Sequence, residues 1–273
     1  MFLLGQKQSR LAPFVDRIDY RGERKSFNRI GDVTAAETTV RHDDTTWSDV
    51  SMDLRWIYHT PYSVSQPLDE WDSTNLGEVS LPDSALVAQH AAAFNRGCDD
   101  NLIAAALGNA KTGKLGTTDV ALPAAQKIAA GATGMTLAKL ISTLDILDDA
   151  DELDDSDGEP GRVFCWTVQQ RSELLNTAEV KSADYNTVKA LAEGKIDTFM
   201  GFKFKIIKRL PESGGTRSCV AWQRGAMKQL CDKRGTSIAI RHDKNDAVQV
   251  RTAWRLGAVR IYDEAVVQID CTE

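Results

Sequence analysis

The sequence predicts a mixed α+β protein in which helices and strands interleave along the chain. Three observations carry that reading. Leu86, His90, Phe94, Cys98, Leu102 and Ala106 recur every four residues and mark one long helix. Alternating segments, such as residues 50–58 and those after 247, read as strands. No internal repeat or clean linker divides the 273 residues, so any subdomains are expected to be discontinuous.

Residues 1–25 are polar and basic (Lys7, Arg10, Arg17, Arg21, Arg24, Lys25) and lack a sustained period, so they read as an extended arm. From 27 to about 72 the texture turns β-type. Val50, Met52, Leu54 and Trp56 alternate with polar residues, the pattern of a half-buried strand. Trp47, Trp56 and Trp71 share this stretch without a helical period, and a long two-stranded excursion accounts for them.

Asp83 or Ser84 offers an N-cap for the long helix, and Gly108 supplies its stop. Some 25 residues would make a rod of about 37 Å, a structural spine. Gly97 inside it implies a bend or a close backbone approach. A Gly-, Thr- and Lys-rich loop is expected over 109–119, and a short strand over 124–129. Thr136 can cap a second helix, with Leu137, Leu140, Ile141, Leu144 and Leu147 on one face. Carboxylates at its C-terminal end oppose the helix dipole, so that end should fray into a loop.

Further on, 163–168 reads as a buried strand, and 170–175 and 183–192 as helices. Phe202, Phe204 and Ile206 alternate with Lys203 and Lys205. A turn at 211–215, a strand at 218–222 and a short helix at 226–233 follow. Strands at 247–256, 258–262 and 265–269 close the chain.

The 33 basic and 39 acidic side chains give a net charge of −6, without the basic balance usual for a nucleic-acid binder. The acidity is local. Nine carboxylates and no basic residue fall between Asp145 and Gly161, and outside that window 33 basic residues face 30 acidic ones. The five cysteines (Cys98, Cys165, Cys219, Cys231, Cys271) are odd in number and lack C-x-x-C spacing, as expected of a reducing compartment and against a structural zinc. The apolar start, Met1 to Leu4, is too short for a signal peptide, and no run approaches a membrane span. A soluble chain made in the cytoplasm is expected.

Motifs for catalysis are missing. Gly108 to Leu115 comes within one residue of a phosphate-binding loop, but Leu115 stands where the magnesium-binding hydroxyl belongs and the motif follows a helix. A flexible loop closing the helix accounts for it. An EF-hand ending at Asp155-Ser-Asp157-Gly158 would need ligands at Leu153 and Phe164, so a solvated acidic loop is favoured over a calcium site. His42, His59, His90 and His242 show no metal spacing, and His90, on the apolar row, reads as a packing histidine. Cys98 precedes Asp99-Asp100, whose charges should raise its thiol pKa. Lys203, Lys205, Lys208 and Arg209, and again Arg251, Arg255 and Arg260, are basic groupings. A wet face backed by a core face is favoured over a stacking platform for single strands. No cofactor, no metal and no enzymatic activity are expected.

In order, these elements resemble a tailed-phage major capsid protein of the Hong Kong 97 type, from about Lys25 to Asp270. Ser26-Phe27-Asn28-Arg29-Ile30-Gly31 is similar to the segment leading into that family's long β-hairpin, the E-loop. The spine helix with Asp99-Asp100 is similar to the helix crossing the peripheral domain. Leu174-Leu175-Asn176-Thr177, Ala183-Asp184-Tyr185 and Gly194 to Phe202 resemble the axial-domain run. Gly257 to Ile261 and Glu264 to Ile269 resemble the C-terminal strands.

The resemblance implies an N-terminal arm (1–25), an E-loop hairpin (26–78), a peripheral domain with the spine helix (79–135), an axial domain (136–245) and C-terminal strands (246–273). It implies hexamers and pentamers of this chain closing an icosahedral head around double-stranded DNA, assembled in the host bacterial cytoplasm and free of membrane. A separate scaffolding protein, a portal protein and decoration or cement proteins are its implied partners. An encapsulin-like compartment and, from another class, an NTP-dependent enzyme using the 108–115 loop are the alternatives. Arg24, Lys25, Phe27 and Arg29 at the E-loop base are candidate intersubunit contacts. Asp148, Asp149, Asp151, Glu152, Asp154, Asp155 and Asp157 are a candidate acidic loop at the capsomer centre. On this view neighbouring subunits complete the arm and the hairpin. No crosslinking residue is identified.

Overall fold

The computed structural model describes residues 8–31, 33, 35, 37, 47, 50–68, 85–150, 161–176 and 198–273. Strands β1 (Asp16–Asp19), β2 (Arg24–Ile30), β3 (Met52–Tyr58) and β4 (Thr60–Leu68) precede helix α1 (Ala85–Leu107). Then come β5 (Ala110–Thr112), β6 (Thr118–Val120), β7 (Lys127–Ile128), α2 (Leu137–Asp149), β8 (Arg162–Trp166) and α3 (Val168–Asn176). The remainder is β9 (Thr198–Phe199), β10 (Phe202–Ile206), β11 (Glu212–Ser213), β12 (Thr216–Gln223), β13 (Met227–Arg241), β14 (Ala247–Arg260) and β15 (Val266–Thr272).

Three sheets organise these strands. The first, in the order β1-β13-β14-β4, carries α1 on β14. The second, β7-β15-β12-β8-β10-β9 with β11 on β12, holds the largest core. The third, β2-β3-β5-β6, is the hairpin sheet. In the largest core Trp166 stacks on Phe204 at 4.2 Å, and Phe164 meets Phe202 edge-on at 5.8 Å. Phe202 and Phe204 are therefore buried, while Lys203 and Lys205 lie over the Phe14 ring, as the core-and-wet-face reading expects.

The spine helix runs unbroken through Gly97. A Cβ there would stand 3.7 Å from Leu256 Cδ1, an ordinary contact, so the helix faces β14 at this position without the crowding that demands a glycine. Thr136 caps α2 by accepting from Lys139 N at 3.3 Å. The Lys139 ammonium, itself buried, donates to the carbonyls of Ala130, Thr133, Gly134 and Asp270. That ties the preceding turn to the end of β15.

Four expectations change. Residues 226–233 form the start of β13, the longest strand, and no helix. Met227, Gln229, Leu230, Cys231 and Asp232 are all buried because both faces are covered here, Leu230 packing with Ile57 and Cys231 with Cys98 of the spine, which erases the alternation that marks a half-buried strand. Residues 109–119 form the β5–β6 hairpin, in which Ala110 and Thr112 are buried. The segments 247–256 and 258–262 merge into one strand, β14, as far as Arg260. The arm, finally, is bound into its own chain from Ser9 onward. Leu11, Phe14 and Val15 enter the largest core, and β1 pairs in parallel with β13. The N-cap residues of the spine, Trp71 and the helix expected at 183–192 lie outside the described residues. Among the described residues no helix is long and apolar enough to cross a membrane.

Candidate assembly interface

The hairpin β2–β3 is two extended strands in register from Arg24↔Tyr58 to Ile30↔Met52. Its faces are inverted relative to the alternation in the sequence. Arg55 and Ile57 are the buried residues of β3, each 1 % exposed, whereas Met52 is 73 % exposed. A charged side chain thus occupies an inward position, and apolar ones look out. At the same end Ile30 and Val33 are also more than half exposed, and Trp47 is almost wholly so.

What holds Arg55 inward is a buried charge hub. Asp263 accepts from Arg55 Nη2 at 2.5 Å through one carboxylate oxygen and from Arg260 Nε at 3.0 Å through the other. Arg260 is fully buried and donates to the carbonyls of Ala105, Ala106 and Gly108, and to Val120 O. It therefore caps the C-terminal end of α1, where carbonyls lack helical partners and the dipole favours a cation. Burial holds its pKa below the usual arginine range, with Asp263 opposing the shift. Beside the hub, Arg29 Nη2 pairs with Glu264 Oε1 at 2.6 Å. Burial pushes the Glu264 carboxyl up, but its own backbone N–H and the Arg29 and Arg55 charges outweigh this and leave it below the ordinary value. Thr112 Oγ1 donates to Asp53 at 2.7 Å, which lowers the Asp53 pKa and fixes β5 to β3. One hub thus joins the hairpin, the spine and the C-terminal segment.

A second clasp uses Asp99 and Asp100. Asp99 is buried and accepts from Ser9 Oγ at 2.6 Å and from the backbone N–H groups of Arg10 and Leu11. Asp100 receives Arg209 Nε at 2.6 Å. One turn of the spine therefore grips both the arm and the segment after β10.

The four candidate contact residues all lie on β2 and all have partners within the chain. The Arg24 guanidinium lies over the Trp56 ring, and Lys25 over Tyr20 and Phe27. Lys228 covers the Phe27 ring, and Arg29 makes the Glu264 pair. Of the acidic candidates, Asp148 and Asp149 are exposed at the end of α2, and Asp148 pairs with Arg162 at 2.7 Å. Asp151, Glu152, Asp154, Asp155 and Asp157 lie outside the described residues. The 108–115 segment builds no phosphate cradle. Residues 110–112 are a strand paired with β3 and β6, and Gly113 O accepts from Trp56 Nε1 at 2.7 Å and Leu115 O from the Tyr58 hydroxyl. Lys111 pairs with Asp119.

Cys98 is pushed up to about 12, with burial as the main cause and the Asp99 charge a minor one. Its thiol is a poor nucleophile. His90 is 2 % exposed, and its Nδ1 meets Thr252 Oγ1 at 2.9 Å. Burial lowers its pKa from the ordinary value of about 6.5. The unfolded chain takes up a proton near pH 6.5 before the folded one does. This contribution to stability is whole above about pH 6.5 and is lost as pH falls towards the folded value. His90→Gln is expected to flatten a slope of at most about 1.4 kcal/mol per pH unit. Denaturation midpoints at pH 7.5 and 5.5 test this, and an equal acid loss in both proteins would remove His90 as the cause.

Over residues 1–273 the sequence matches the family model described as phage capsid protein. A search of curated proteins finds no match. Among solved structures, the chain is similar to one from the head of Helicobacter pylori bacteriophage KHP40, at TM-score 0.74 and 12 % identity, covering 99 % of this chain and 94 % of that one. A chain from the capsid of Ralstonia phage GP4 gives 0.71 at 11 % identity, covering 100 % and 93 %. One from Mycobacterium phage Che8 gives 0.70 at 15 % identity, covering 98 % and 93 %.

Proposed function

The chain belongs to the phage capsid protein family, and from that premise we propose that its copies form hexamers and pentamers that close an icosahedral head around double-stranded DNA. It is a major capsid protein, with the Hong Kong 97-like fold, that associates with itself in the head shell. Its role there is structural, and no catalytic step is assigned to it.

The observation that carries the finer reading is the build of the hairpin. Its base is locked by the Arg55–Asp263–Arg260 hub, while its outer half presents Ile30, Val33 and Met52 to solvent. Apolar side chains placed outward on a rigid extension fit a surface that a neighbouring subunit covers. On this reading residues 26–78 are the E-loop, 79–135 the peripheral domain and 136–245 the axial domain. Arg24, Lys25, Phe27 and Arg29 then hold the hairpin at the angle a neighbour meets. The acidic segment lies at the capsomer centre, and a scaffolding protein, portal and decoration proteins act from outside the chain.

Negative-stain microscopy of the purified chain is expected to show capsomers or closed shells, of irregular size without a scaffolding protein. A monomer at every concentration would overturn the assembly reading. Uniform shells from this chain alone would remove the separate scaffold.

A further inference from the structure

We propose that the basic surface where the arm, the spine helix and β10 meet binds the phosphodiester backbone of the packaged DNA duplex, which turns this side of the subunit towards the interior of the shell. This contact rests on the shell reading above and adds to it the surface that meets the nucleic acid.

The fold gathers here cations that are far apart in the sequence. Lys203 and Lys205 hold alternate positions of β10 and so leave the sheet on one face, opposite the buried Phe202 and Phe204. The arm crosses that face. Its Phe14 ring lies beneath both ammoniums, with Lys203 Nζ 5.8 Å and Lys205 Nζ 5.6 Å from the ring centroid. The Arg10 guanidinium, also from the arm, donates to Ile206 O at the end of β10. Lys208 and Arg209 follow in the next turn, and both are exposed. The spine fixes the arrangement, because Asp99 accepts from the Arg10 N–H at 3.1 Å and Asp100 from Arg209 Nε at 2.6 Å.

The carboxylates at this junction hold it together and leave the outer charge uncancelled. Asp99 is buried against the arm, and Asp100 pairs with Arg209. Among the described residues no carboxylate pairs with Arg10, Lys205 or Lys208. Two ammoniums over one ring repel each other, and an anion seated against both relieves the repulsion. The ring draws a cation only towards its face, so Lys205 keeps N–H donors for an oxygen ligand. Phe14 itself is 7 % exposed, so the surface offers charge without an apolar pocket. That suits a uniform polyanion better than a peptide with side chains to seat. Duplex DNA carries one negative charge per about 1.7 Å of its axis and needs no shaped pocket to be held. The chain's own acidity is concentrated elsewhere, between Asp145 and Gly161.

Binding of a short random-sequence DNA duplex to the purified full chain, followed by fluorescence anisotropy across salt, tests the contact. Four phosphate contacts, from Arg10, Lys203, Lys205 and Lys208, give a log–log salt slope of about −3.6, a loss of affinity of about 100-fold between about 50 and 200 mM salt. Lys205→Gln and Lys208→Gln should each reduce the slope by about 1, whatever the DNA sequence, while Lys205→Arg keeps it. Lys208 is exposed in a turn, so its variant reads the contact even where Lys205→Gln disturbs the packing over Phe14. Arg251→Gln removes an exposed charge from β14 and should leave the slope unchanged. A wild-type chain that does not bind the duplex, or slopes that both lysine variants leave unmoved, would overturn this contact, while capsomers by negative stain keep the shell reading. Tighter binding of poly-glutamate than of duplex at equal charge would overturn it in favour of an acidic protein partner. A chain that forms no particles would overturn the shell reading and, with it, the packaged duplex as the ligand.

Discussion

Asp263→Ala is expected to destabilise the protein by about 3–5 kcal/mol, because it leaves two arginines buried without their shared carboxylate. Asp263 is 3 % exposed, and Arg55 and Arg260 still less. Neither guanidinium reaches water in place, so relief requires β3 or the 260–264 segment to move outward. The damage should concentrate at the hairpin base. Two backbone segments lose their common anchor there, and Arg55 already has Nε and Nη1 without partners. Urea denaturation gives the total loss, and limited proteolysis of β2–β3 gives its location. A midpoint within experimental error of wild type would show that the hub contributes geometry without stability. Asp263→Asn keeps one acceptor for the arginines and should fall between the two.

Gly257→Ala should have the next largest effect. A Cβ at 257 would stand 2.5 Å from Tyr58 O and 2.6 Å from Ile57 Cγ2, with the Tyr58 carbonyl carbon at 3.2 Å. Two of these atoms are backbone, so the clash is resolved only by moving β3 off β14. An overpacking cost of about 1–3 kcal/mol is expected. The hairpin should also lift Ile57 from its seat against Leu230 and Val259. Gly97→Ala is the matched control. Its Cβ would make ordinary contacts at 3.7 and 3.9 Å, and alanine favours a helix by about 0.5–1 kcal/mol. Thermal melting of the pair should therefore move in opposite directions, and a Gly257→Ala protein as stable as wild type would mean the strands are not in contact there.

The elements most legible in the sequence were those whose burial is one-sided. The spine helix, the Thr136 cap and the Phe202–Phe204 face each leave a periodic trace, and the structure places them as read. The start of β13 left no such trace because both of its faces are covered over 227–232, and its apolar spacing mimics a helix. The hub was illegible for a different reason. Arg55, Arg260 and Asp263 look like surface charges until β3, the end of α1 and the C-terminal segment are brought together. Arg260 stood out within a basic grouping, but its companions Arg251 and Arg255 keep some exposure, so the grouping itself was uninformative. The inverted parity of β3 misled most directly. Leu54 and Trp56 are only half buried and Met52 is open to solvent, a pattern that a monomer's own packing does not call for.

The hub also sets an order in time. Arg55 and its carboxylate are separated by 208 positions in the chain, and β1 waits about as long for β13. At a ribosome making about 5–20 residues each second, Arg55 emerges roughly 10–40 s before Asp263 exists. Through that interval the hairpin lacks its charge anchor and is held only by its pairing with β5 and the contacts made before the C-terminal segment appears. Only when the final segment is released does the guanidinium find its partner. Release of the completed chain is thus the earliest moment at which the charge hub can close, and a chain cut short before Asp263 lacks that anchor for its hairpin.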